Sequence, residues 1–65
     1  MNTEVFIKTI NEKIKAYYEL RDLFGRNDDY VRSVYDTIDG MCEAYQLLTG
    51  NNIEWSAKGV EIEEV

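Results

Sequence analysis

Asp36, Asp39 and Glu43 stand at i, i+3 and i+7, a spacing that aligns three carboxylates on one side of a helix, within reach of a single cation. Hard cations recruit about six or more oxygens, usually with loop carbonyls, and no calcium-loop pattern surrounds this trio. The three acids therefore read as a solvated face. Cys42 is the sole thiol, and its near neighbours include Asp39 and Glu43. A reactive thiolate needs an electropositive setting, so Cys42 reads as a small packing residue. The chain has no histidine, which removes the commonest general base and metal ligand. Its glycines, at positions 25, 40, 50 and 59, are isolated, so no phosphate-cradling loop exists. Paired carboxylates for glycoside chemistry would need a cleft that a chain of 65 residues hardly supplies. The expectation is a protein without catalytic residues, metal or cofactor.

The elements that would carry these side chains are helical. Ile7, Ile10, Ile14, Tyr17 and Phe24 recur at helical spacing, as do Val31, Val34, Ile38, Met41, Tyr45 and Leu48. The pattern predicts helices over about 3–24 and about 28–49. Gly25 suits the left-handed residue that ends a helix, Asn27 or Asp28 the next N-cap, and Gly50-Asn51 the second stop. A connection of about three residues makes the helices antiparallel neighbours. Lys8–Glu12 and Lys15–Glu19 are i,i+4 pairs on the polar face and need no functional explanation. Arg21 lies on the first stripe, where its apolar stem can be covered while its head reaches solvent.

Beyond Gly50 the period becomes alternating. Ile53, Trp55, Val60 and Ile62 alternate with Glu54, Glu61 and Glu63, which predicts a β-hairpin over about 52–64 turning at Ser56-Ala57-Lys58-Gly59. A two- or four-residue loop pairs Trp55 with Val60 and Ile53 with Ile62, placing both apolar pairs on one face. A three-residue loop scrambles the faces. The same register sets Glu54 opposite Glu61. An isolated two-stranded hairpin is marginal in water, so it must lie on the helices or on another chain. Trp55 is expected to clamp it to the helices, with an interface role as the sharper alternative.

A chain this short usually needs a disulfide, a metal or a partner subunit. One cysteine and no histidine leave a partner subunit. The first helix's apolar arc, widened by Phe6, Leu20 and Tyr18, exceeds what one neighbour covers. The second helix carries a strip of small residues, Thr37, Gly40 and Ala44, continued by Leu47. Mid-helix glycine costs about 1 kcal/mol relative to alanine, a cost suited to a place where another backbone approaches. The expected fold is mainly α: an antiparallel two-helix hairpin with a short C-terminal β-hairpin, one small domain over 1–65, paired as a dimeric four-helix bundle. The expected dimer residues are Phe6, Ile10, Tyr17, Leu20, Gly40, Ala44 and Leu47.

Thirteen acidic against seven basic residues give a net charge of −6. The basic residues are scattered among acids, which disfavours direct contact with nucleic acid. No apolar run approaches the roughly 20 residues of a membrane span, the N-terminus lacks a secretory pattern, and a lone thiol suits the reducing cytoplasm. Apolar and aromatic content is too high for a disordered tail. The expected function is a non-enzymatic interaction protein, an adaptor, regulator or inhibitor, whose partners are a second copy and a basic protein. The candidate partner-binding residues are Asp36, Asp39, Glu43, Trp55, Glu61, Glu63 and Glu64. The alternative is an acidic mimic of nucleic acid, of the kind phages and mobile elements use, blocking a basic site on a nucleic-acid-processing protein.

Overall fold

The computed structural model describes residues 2–63, so Glu64 lies outside the described residues. Helix α1 spans Thr3–Phe24, helix α2 Asp29–Thr49, and strands β1 and β2 span Asn52–Ser56 and Gly59–Glu63. The chain is mainly helical, with two helices and a two-stranded antiparallel sheet.

Local signals set each boundary. Asn2 caps α1, its Oδ1 accepting the Val5 N–H at 3.2 Å. Asp28 caps α2, its Oδ1 accepting from the N–H groups of Tyr30 at 2.9 Å and Val31 at 3.2 Å. Gly50 ends α2 in the left-handed conformation, its N–H bonded to the Gln46 carbonyl. Gly25 also has positive φ, but its ψ of 155° places it in an extended region that only glycine occupies easily. It therefore swings the chain out of α1 and into the turn, where a left-handed helical cap was expected.

The helices lie antiparallel, with Phe6 of α1 stacked on Tyr45 of α2 at 6.2 Å and Tyr17 meeting Tyr35 edge-on at 5.6 Å. Ile10, Val31 and Ile38 are 0% exposed, and Ile14, Tyr17, Cys42, Tyr45 and Ile53 complete the core. Phe24 and Leu48, expected on the stripes, are 60% and 65% exposed. Each follows its stripe's central isoleucine, Ile14 or Ile38, by ten residues. At 100° per residue that step lands about 80° off the core direction.

The sheet lies across one side of the helix pair, β1 against α2 and β2 against α1. Its register pairs Ile53 with Ile62 and Trp55 with Val60, as the alternation requires, and sets Glu54 opposite Glu61 on the outer face. Ala57 and Lys58 form the loop with negative φ, and Gly59 takes the positive φ of 109°. Three tethers fix this hairpin. Gln46 Nε2 donates to the Ile53 carbonyl at 3.4 Å, the Val60 N–H donates to Asn11 Oδ1 at 3.0 Å, and Trp55 Nε1 donates to Asp39 Oδ1 at 2.9 Å. The two backbone groups in this set point away from the partner strand. Asn11 and Gln46 thus occupy part of each open edge, which would otherwise invite pairing with another chain.

Candidate functional site

The hairpin reaches α1 at Asn11 and α2 at Asp39 and Gln46. Those residues flank the core direction on one side only. At 100° per residue, Phe6 and Leu20 of α1 fall on the other flank, as do Val34, Met41 and Ala44 of α2. Among the described residues no element covers this second, bare flank. Phe6, Leu20, Val34 and Met41 are half-buried, packed on the core from outside. Tyr30 and Leu48 extend the row at either end of α2 and are exposed.

The spacing along this flank is regular. On α2 it reads 30, 34, 37, 41, 44, 48, occupied by Tyr, Val, Thr, Met, Ala and Leu. On α1 it reads 6, 9, 13, 16, 20, 23, occupied by Phe, Thr, Lys, Ala, Leu and Leu. Alternating steps of three and four define the seam of left-handed helix packing. Lys13 is the one charged residue along it, in a chain with thirteen acids. None of these twelve positions is acidic; Asp36 and Glu43 stand on the outer side of α2 and Glu54, Glu61 and Glu63 on the hairpin, all exposed.

The residues expected to form a dimer face separate into three groups. Phe6, Leu20 and Ala44 lie on the bare flank. Ile10 is 0% exposed, and Tyr17 is 7% exposed and borders a cavity beside Tyr35, so neither offers surface on the bare flank. Gly40 and Leu47 lie on the outer side of α2, with Leu47 81% exposed. A Cβ at Gly40 would meet no atom within 4 Å among the described residues, so no other described element packs against it.

The expected partner-binding residues are likewise dispersed. Trp55 sits among aromatic rings, 5.0 Å from Tyr35 and 5.7 Å from Tyr17, both as ring centroids, with Tyr18 at 6.5 Å. Arg21 lies over Tyr18 with its guanidinium carbon 5.7 Å from the ring centre, a cation–π contact. With its indole N–H spent on Asp39, Trp55 joins the hairpin to both helices, and Asp39 serves that joint. Asp36, Glu43, Glu61 and Glu63 remain free to meet solvent. Among the described residues no three of His, Cys, Asp and Glu converge as metal ligands. The Cys42 thiol is buried, and burial, with the Asp39 carboxylate adding to it, raises its pKa. Both effects keep it protonated and poorly nucleophilic.

Three structural participants escaped the sequence reading. Asn11 and Gln46 carry no signal at sequence level, since a polar residue on a helix flank looks solvated. The seam on α2 did carry one, in its unbroken 4-3-4-3-4 spacing. No helix among the described residues is long and apolar enough to cross a membrane. No family model, curated protein or solved structure matches the chain.

Proposed function

We propose that this chain is a non-enzymatic protein–protein interaction module of the cytoplasm, and that two copies pair through their bare flanks as a four-helix bundle with the β-hairpins outermost. The single observation carrying this reading is the acid-free seam that runs along both helices opposite the hairpin. The molecule measures 36 × 19 × 17 Å overall, so one long side has an outline of roughly 600 Å² per copy, the lower end of what specific interfaces bury. A second copy also suits the charge pattern. It meets an apolar face, and the acids of both copies stay turned outwards. The paired module then offers the acidic outer side of α2 and of the hairpin to a basic protein partner. Light scattering at tens of micromolar should return the mass of two chains, and the mass of one chain at every concentration would contradict the pairing.

A second reading, the mimic of nucleic acid, is favoured by one observation. Glu54 stands directly across from Glu61, an arrangement that costs stability because like charges oppose each other. Such a mimic would bind its basic target strongly at low salt and lose most affinity at moderate salt. Neutralising Glu61 and Glu63 to glutamine would weaken a mimic and leave an apolar interface nearly unchanged.

A further inference from the structure

All three arginines of the chain, Arg21, Arg26 and Arg32, lie around the interhelical turn, while its four lysines lie elsewhere. Two of them, Arg26 and Arg32, line a cavity of about 340 Å³ together with Tyr17, Tyr35, Asn27 and Asp36. The wall is rigid. Tyr17 is buried, and its ring is held edge-on by Tyr18, Tyr35 and Trp55. The arginines come from opposite sides of the α2 N-cap, Arg26 from the turn and Arg32 from the first helical turn of α2. In a chain of net charge −6, this cavity holds two guanidinium groups against one carboxylate.

We propose that the cavity binds a small aromatic compound carrying one oxyanion head, a carboxylate or a phosphate. Guanidinium groups are planar, weakly hydrated forks that match such oxyanions, a match a lysine ammonium makes only as a point charge. The tyrosine rings supply the flat apolar wall a ring would lie against. Asp36, one helical turn beyond Arg32, disfavours a ligand with negative charge at both ends. The volume stands at the low end for small-molecule sites, which suits one ring and its head group. Tyr35 packs against Trp55 with the two rings tilted at 58°, so the cavity is on the hairpin side, away from the bare flank, and the proposal does not depend on pairing.

Titration of the full-length protein with phenyl phosphate and with benzoate, followed by amide resonances, tests it. Saturable shifts at Asn27, Arg32 and Tyr35 are expected with at least one of the two. Inorganic phosphate and benzyl alcohol should bind at least about tenfold more weakly, each lacking one half of the recognition. Arg26→Gln and Arg32→Gln, both at exposed positions, should each weaken binding about tenfold with unchanged circular dichroism, and Lys8→Gln should not. The proposal is overturned if neither ring compound shifts these amides, if inorganic phosphate binds as well as phenyl phosphate, or if Lys8→Gln weakens binding as much as the arginine changes.

Discussion

The two flanks of the helix pair are finished in different ways. On one, the chain's own hairpin covers the core, held by directional contacts: the Trp55–Asp39, Asn11–Val60 and Gln46–Ile53 hydrogen bonds and a cluster of aromatic rings. On the other, Phe6, Leu20, Val34 and Met41 pack against the core and stop half-covered, with no polar tether and no acid among them. A covered flank needs specific hydrogen bonds because a short sheet has backbone groups to satisfy and a register to hold. Helices satisfy their own backbone. A bare helical flank therefore needs only apolar area at the right spacing to accept a partner.

The largest expected effect removes what both flanks rest on. Ile38→Asp puts a carboxylate at a 0% exposed position, at a cost of several kcal/mol, comparable to the whole stability of a small domain. Loss of the helical circular-dichroism signal is expected. Next, Trp55→Ala should strip the covered flank, lowering stability by about 3 kcal/mol in a denaturant titration. Trp55→Phe, which keeps a ring but loses the bond to Asp39, should cost about 1 kcal/mol. Equal losses for the two would show that the indole N–H, rather than the ring cluster, anchors the hairpin.

Two glycines sharpen the contrast. Gly59 has φ of 109°, and a Cβ there would stand 2.9 Å from Asn11 Oδ1, the atom that tethers β2. Gly59→Ala should cost about 1–3 kcal/mol and weaken hydrogen-exchange protection of the Val60 amide. Gly40, by contrast, faces open space in the middle of α2. Gly40→Ala should stabilise by about 0.5–1 kcal/mol without changing the mass in solution. A lower melting temperature would place a backbone against Gly40 after all.

The parts of the fold readable in advance were those fixed by local chemistry. Helical spacing located both helices, and alternation with a two- or four-residue loop located the strand register. The site was legible in fragments. Phe6, Leu20 and Ala44 were picked out for a partner and lie on the bare flank. Ile10 and Tyr17 were picked out too, but periodicity cannot tell which side of a stripe the chain's own tail will cover. That depends on Asn11, Asp39 and Gln46, whose long-range bonds leave no local trace. Gly40 and Leu47, also expected to meet a partner, lie on the outer side of α2, where Leu47 is 81% exposed and a Cβ at Gly40 would meet no described atom within 4 Å.

Sedimentation equilibrium on two charge-introducing variants tests most directly whether the bare flank is the pairing surface. Met41→Glu places a carboxylate on the seam, and Leu47→Glu places one on the outer side of α2, at the most exposed large apolar residue. The parent protein and Leu47→Glu should both sediment with the mass of two chains at tens of micromolar. Met41→Glu should sediment as one chain while keeping its helical spectrum. A parent mass of one chain, or pairing that survives Met41→Glu and fails in Leu47→Glu, would contradict the assignment of the bare flank.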